Sequence, residues 1–312
     1  MKVLLIDTNH PLIEERLTSL GYDCIAAYNR SKEDIIASLD GIVGIVIRSR
    51  FSIDASFIEA ANDLKFIARV GAGLENIDID TARSKNIHLI AAPEGNRNAV
   101  GEHALGMILS LFNHLKRADE EIRNGSWRRE ENRGVELEGK TIGIIGYGNM
   151  GKSFARKLAG FDVKVIFHDL LDGLEDEYAS QVSLEQLKAE ADIISLHTPQ
   201  TPLTIGMIDR RFIKECARPF YLINTARGSA VKTKDLMDAI ETGNVLGACL
   251  DVLEYEKTSF ENFFNEETLP DSFQKLIRSD KVLLSPHVAG WTVESKYKLA
   301  ETIVNKVAAM HS

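Results

Sequence analysis

Six apolar runs in the part of the chain after residue 140 each close on a glycine loop or an ionisable group: Gly146, Asp169, His197, Arg227, Asp251 and His287. In open α/β sheets ligands bind outside the carboxyl ends of the strands, so such positions converge on one ligand. Arg227, Glu256 and His287 carry the clearest chemistry. Taking hydride from a secondary alcohol needs a base for the hydroxyl proton, and reducing the ketone needs the matching acid. Histidine titrates near neutrality and can serve both directions. A carboxylate beside it, Glu256, would fix the ring and favour imidazolium. Arg227, always charged and forked, can clamp a carboxylate and polarise a carbonyl oxygen. Each residue also has a plainer reading: a turn histidine, a surface ion-pair partner and a solvated charge in the acidic stretch 251–267. Their joint occurrence behind a glycine loop favours catalysis.

That loop, GYGNMG at 146–151, follows an apolar run and precedes a helical pattern. Gly146 would permit the tight turn, Gly148 the approach of a pyrophosphate, and Gly151 close helix–strand packing, with the helix N-terminus facing the phosphates. The same residues extend to GYGNMGKS, which fits the GxxxxGK[ST] loop of nucleoside triphosphatases, with Lys152 and Ser153 on phosphate and magnesium. A ligand-free turn is a third reading. The dinucleotide is favoured because Asp169 ends the next run 18 residues after Gly151, where a carboxylate would accept ribose hydroxyls. It would repel a 2′-phosphate, and Leu170 follows instead of an arginine, so NAD is expected over NADP. The alternative for Asp169 is a simple turn cap.

The elements that must hold these residues alternate along the 312-residue chain, a length that suggests two domains. Short β-branched runs at 2–7, 23–28, 44–48, 66–70 and 88–93 are separated by amphipathic stretches near 11–20, 31–39, 54–62 and 78–85, the rhythm of a parallel α/β sheet. A second series, at 141–148, 164–169, 191–197, 221–226, 247–252 and 282–287, has the six strands of a dinucleotide-binding sheet. One long helix is expected from Asn98 to about Glu121 as a connector. The polar stretch after it reads as an exposed arm, with Trp127 suited to a subunit interface or simply to the surface. A last helix over 292–310 is expected to pack on the first domain.

The formal charge of -9 argues against nucleic acid. Three cysteines without a CxxC pair fit a reducing compartment and give no sign of a metal site. The apolar run of MKVLLID stops at Asp7, unlike a signal peptide, and the stretches at Ile42–Ile47 and Ala104–Phe112 fall short of the ~20 residues that cross a bilayer. A cytoplasmic protein without a membrane partner is expected. The chain has no GxSxG elbow of a hydrolase and no HExxH of a zinc enzyme.

Several motifs in order, RVGAGLENID (69–78), GNRNAVGEHALGMIL (95–109), LEGKTIGIIGYGNMG (137–151), SLHTPQT (195–201), LINTARG (222–228), GACLDVLEYE (247–256) and LLSPHVAG (283–290), resemble the D-isomer-specific 2-hydroxyacid dehydrogenases, most of all their phosphoglycerate-oxidising branch. The resemblance covers almost the whole chain and decides the loop against the triphosphatase. It implies an α/β fold of two doubly wound parallel sheets. A Rossmann NAD-binding domain would span 98–287, and a discontinuous flavodoxin-like substrate domain, the catalytic lid, would span 1–97 and 288–312. It also implies Arg227, Glu256 and His287 as the catalytic set. Cofactor contacts would come from Gly146, Gly148, Asn149, Met150, Gly151, Asp169, His197, Thr198, Pro199, Thr204, Thr225, Ala226, Asp251 and Gly290. The substrate would meet Arg48, Arg69, Gly71, Ala72, Gly73, Asn96 and Arg129, with Arg50 near them. A homodimer or homotetramer is the family's usual state.

The expected reaction is hydride transfer between NAD and a D-2-hydroxy acid, with D-3-phosphoglycerate and 3-phosphohydroxypyruvate first among substrates because several arginines suit a phosphorylated acid. Hydroxypyruvate, glyoxylate or pyruvate are alternatives, as is an NAD-sensing scaffold like the family's corepressors. Departures from the family pattern are Lys257 where proline usually follows the glutamate, an acidic and aromatic insert after it, Gly101 for a usual alanine, and Trp291-Thr292 after Gly290. The insert leaves the shape of the cleft, and with it the identity of the substrate, open. No extra C-terminal regulatory domain is expected, and so no serine feedback through one.

Overall fold

Apolar runs that do not alternate with polar residues can be buried on both faces, the condition for a parallel sheet covered by helices. The structure, a computed structural model, describes residues 1–256 and 269–311. Most of the insert, 257–268, lies outside the described residues. These fall into two compact units, 1–97 with 291–311 and 98–256 with 269–290. The chain returns to the first unit after Gly290, slightly later than the expected junction at His287.

In the first unit β1 (Lys2–Leu5), β2 (Asp23–Ala26), β3 (Ile42–Ile47), β4 (Phe66–Arg69) and β5 (His88–Ala91) form a parallel sheet of order β2-β1-β3-β4-β5. This is the flavodoxin-like order, whose strand direction of winding reverses between β1 and β3. One face buries Ile45, Ile47, Phe57 and Ile67. The other buries Val3, Leu5, Val46 and Phe66 against Ala300, Ile303, Val304 and Val307 of the helix Val293–Ala308. That helix starts on a capping box, Thr292 accepting from the Ser295 N–H while the Ser295 hydroxyl accepts from the Thr292 N–H.

In the second unit β6 (Thr141–Ile145), β7 (Lys164–His168), β8 (Ser180–Gln181), β9 (Ile193–Leu196), β10 (Phe220–Asn224), β11 (Val245–Leu250) and β12 (Val282–Leu284) form a parallel sheet of order β12-β11-β10-β9-β6-β7-β8. The winding reverses between β6 and β9, the position at which a Rossmann sheet takes its ligand. Six of these strands match the expected series. The seventh, β8, has two residues and too little length to carry a periodic pattern.

The expected single helix over 98–121 is instead two, Pro93–Phe112 and Leu115–Arg123. Neither glycine nor proline breaks it. The Phe112 carbonyl is taken by the N–H of Val135 from the returning arm, at 3.0 Å. The Asn113 amide side chain donates to the Leu109 carbonyl, and His114 turns left-handed at φ 50°. The arm thus satisfies the Phe112 carbonyl that the next helical turn would have used. No helix among the described residues is long and apolar enough to cross a membrane.

Within the first unit, a Cβ on Gly95 would lie 2.7 Å from the Cα and N of Leu299. Backbone atoms cannot swing aside. Alanine is the better helix former by ~1 kcal/mol, but overpacking costs about 1–3 kcal/mol. Gly95→Ala should therefore lower unfolding stability by up to about 2 kcal/mol in a urea titration, and a gain would disprove the close approach.

Candidate active site

β10, β11 and β12 are parallel neighbours, so the residues after them emerge on one edge of the second unit. Asp251, which follows β11, is 1% exposed. Its carboxylate accepts from the Ser285 hydroxyl at 2.5 Å, the Val288 N–H at 2.9 Å and the Ala289 N–H at 2.8 Å. Its backbone carbonyl accepts the His287 N–H at 2.7 Å, and its own N–H donates to Asn224. One buried carboxylate thus ties the Ser285-Pro286-His287 loop to β11. His287 sits within that loop at φ 55°, a conformation a non-glycine residue holds only when its surroundings impose it. Its Nδ1 meets the Glu256 carboxylate at 3.2 Å. The structure therefore brings Glu256 and His287 together.

Arg227 lies in the turn after β10. Asn224, fully buried, shapes that turn by accepting from the Ala226 N–H and donating to the Arg227 carbonyl. The guanidinium donates to the Ala226 carbonyl at 2.7 Å. Gly228 is needed for packing: a Cβ there would stand 1.9 Å from the Leu253 carbonyl oxygen, so the arginine's turn sits directly on the segment that leads to Glu256. Asn224, Ser285 and His103, whose Nε2 meets the Ser285 hydroxyl at 2.9 Å, are positioning residues that the sequence reading did not single out. Their signal was a polar residue inside each motif, beside a residue of more obvious chemistry.

The glycine loop fits a dinucleotide. Gly146 has φ +91°, and a Cβ there would press on the His197 carbonyl at 2.8 Å; one on Gly151 would strike the Gly146 carbonyl at 2.2 Å. Gly148, before the helix Asn149–Lys157, has open space and no side-chain cap, which leaves first-turn N–H groups for phosphate oxygens. Asn149 and Met150 begin that helix. The Asp169 carboxylate accepts from the Tyr147 N–H at 2.7 Å and the Leu171 N–H at 3.0 Å, fixed where ribose hydroxyls could reach it. Buried polar atoms without a protein partner gather at the ends of β9 and β10: His197 Nδ1, Thr198 Oγ1 and Thr225 Oγ1. Lys152 turns towards the Tyr147 ring and Asp176, not the loop mouth a triphosphatase would need. Thr204 closes the turn after Pro199, donating to its carbonyl and accepting from the Thr201 N–H. Gly290 ends the His287 loop, past Ala289.

Of the substrate candidates, Arg48, Arg69, Gly71, Ala72, Gly73 and Asn96 gather in the first unit, after β3, β4 and β5. Arg129 is exposed on the irregular arm of the second unit. Arg50 is used structurally, donating to the carbonyls of Ile6, Ala27 and Arg30.

Residues 105–289 match the family model described as D-isomer specific 2-hydroxyacid dehydrogenase, NAD binding domain. The chain belongs to this family. It is 33% identical to a D-3-phosphoglycerate dehydrogenase of Archaeoglobus fulgidus over 98% of this chain and 57% of that protein. A hydroxypyruvate reductase of Thermotoga maritima is 32% identical over 91% of this chain and 89% of its own length. The crystal structure of an Aquifex aeolicus D-lactate dehydrogenase complexed with NAD and lactic acid superposes with a TM-score of 0.84 at 28% identity, covering 100% of this chain and 95% of that one. The chain spans a little over half the length of the phosphoglycerate dehydrogenases it matches, 57% and 55% for two of them.

Burial without a charged partner pushes the His197 imidazole down to about 3, so it stays neutral in the folded protein. The unfolded chain takes up this proton below about pH 6.5 and the folded one does not, so stability falls as pH drops from there towards 3. Between pH 7 and 5 this residue should remove about 2 kcal/mol of stability. Denaturant titrations of native protein and His197→Gln at both pH values check this: the same acid loss in the variant would exclude His197 as its source.

Proposed function

We propose that the protein is an NAD-dependent oxidoreductase that interconverts a D-2-hydroxy acid and its 2-keto acid, with D-3-phosphoglycerate and 3-phosphohydroxypyruvate as the foremost pair. The observation that carries this reading is the Glu256–His287 pair, 3.2 Å apart on the edge where Arg227 also emerges, in a unit whose glycine loop fits a dinucleotide. Bound NAD supplies the hydride acceptor at its nicotinamide. His287 takes the substrate hydroxyl proton during oxidation and returns it during reduction. With Nδ1 held by Glu256, Nε2 is the nitrogen that exchanges this proton, and the carboxylate steadies the imidazolium as it forms. Arg227 holds the substrate carboxylate and polarises the C2 oxygen. Thr198 and Thr225, whose buried hydroxyls lack a protein partner, supply hydrogen bonds to the cofactor. The first unit, with its arginines, acts as the substrate domain. Self-association as a homodimer or homotetramer belongs to the same reading, and the 79% exposure of Trp127 on the arm supports it.

Purified protein should consume NADH with one or more members of a panel of 3-phosphohydroxypyruvate, hydroxypyruvate, glyoxylate and pyruvate. His287→Ala should lower turnover ~10²-fold or more, since acid–base help is worth 10²–10⁴, and leave NADH affinity within a few-fold. Undiminished turnover in that variant would remove His287 from the mechanism. Asp169→Ala should weaken NADH and narrow its advantage over NADPH, read from the two KM values. A native preference for NADPH would refute the ribose assignment.

A further inference from the structure

Arg48 and Arg50 stand two residues apart after β3, yet their guanidinium groups meet opposite fates. Arg50 is consumed by three backbone carbonyls. Among the described residues, the Arg48 guanidinium makes no hydrogen bond or ion pair; its Cζ lies 4.5 Å from the centre of the Trp291 ring. The backbone of Arg48 is held firmly: its N–H donates to Asp7 at 2.5 Å, and its carbonyl accepts from Arg69 Nε at 3.2 Å and Asn76 Nδ2 at 3.3 Å. A side chain on so fixed a base, left with five N–H donors and one covered face, presents its edge to in-plane acceptors.

Trp291 has no core role to explain it. It is 67% exposed and precedes the capped start of the helix Val293–Ala308. Arg69 is in register with Ile47 across the β3–β4 pair and braces the Arg48 carbonyl through Nε. Its guanidinium lies across Gly71, where a Cβ would fall 1.7 Å from Nη1. The fork of in-plane donors on Arg48 pairs with the several anionic oxygens of a phosphate better than with a neutral hydroxyl.

We propose that Trp291 is a specificity-determining positioning residue: by stacking on Arg48 it holds that guanidinium for a phosphate at the far end of the 2-hydroxy acid. This rests on the dehydrogenase reading above. Trp291 itself does not touch the reacting carbon. It selects phosphorylated over unphosphorylated acids by sparing Arg48 the cost of being ordered when the substrate binds.

A cation–π contact of about 1–2 kcal/mol corresponds to a ~5–30-fold change in binding. Trp291→Ala should raise KM for 3-phosphohydroxypyruvate ~10-fold, with the loss in KM and not in kcat, and should barely alter KM for hydroxypyruvate. Trp291→Phe, which keeps an aromatic face, should recover most of the loss. An equal loss on both acids, or a fall in kcat alone, would overturn the proposal. A second measurement does not need turnover. The chain has 2 tryptophans, so Trp127→Phe leaves Trp291 as its sole tryptophan. D-3-phosphoglycerate should then change the emission at concentrations ~10-fold below those of D-glycerate, and Arg48→Met should abolish the difference. Equal responses to the two acids would refute the stacked pair. Failure of every keto acid to consume NADH would refute the dehydrogenase reading, and the emission titration would still decide the role of Trp291.

Discussion

A polar group in a protein interior persists only where hydrogen bonds replace the water it has lost, and the Asp251 carboxyl is such a group. Its carboxylate, 1% exposed, is satisfied by the Ser285 hydroxyl and two consecutive backbone N–H groups of the His287 loop. The hydrogen bonds of the carboxylate and the path of the loop therefore depend on each other. The backbone of His287 can sit in the left-handed region because its N–H is caught by the Asp251 carbonyl while the next two N–H groups are caught by the side chain. Everything proposed for the acid–base pair follows from this arrangement, since Glu256 can meet the imidazole only if the loop brings it there.

A second constraint joins Arg227 to the same framework through contact alone. Gly228 leaves room for the Leu253 carbonyl, and Asn224 closes the turn from within. Three neighbouring strands thus deliver a guanidinium, a carboxylate and an imidazole by three different means: a tight glycine contact, chain direction, and a buried carboxyl held by N–H groups. None of these depends on long flexible side chains finding each other in water. Placement by backbone suits a site in which small displacements of reacting groups are costly.

Local chemistry was the legible part of the sequence. The ends of β6, β7, β9, β10, β11 and β12 were visible because apolar runs stop where an ionisable residue or a glycine begins. GYGNMG could be read as a turn because each glycine answers a separate steric demand, at φ +91° for Gly146 and at a 2.2 Å approach for Gly151. What stayed hidden came from distant partners. The break at Asn113-His114 has no breaker residue and depends on Val135 claiming a carbonyl from the far side of the arm. The two arginines of Arg48-Ser49-Arg50 look equivalent as text, and only folding decides that one serves three carbonyls and the other an indole ring. The two-residue β8 is an edge strand defined by its neighbour and not by its own pattern.

The helix Val293–Ala308 completes the core that β1 and β3 begin. On a ribosome, the strands of the first unit emerge early but must wait, with the face of Val3, Leu5 and Val46 covered only in part by Ile13 and Leu17, until the whole second unit has been made. The inserted unit has all of its sequence before that closing helix appears, so it is free to reach its native state first. An apolar sheet face left partly open for that interval is a natural client for a chaperone.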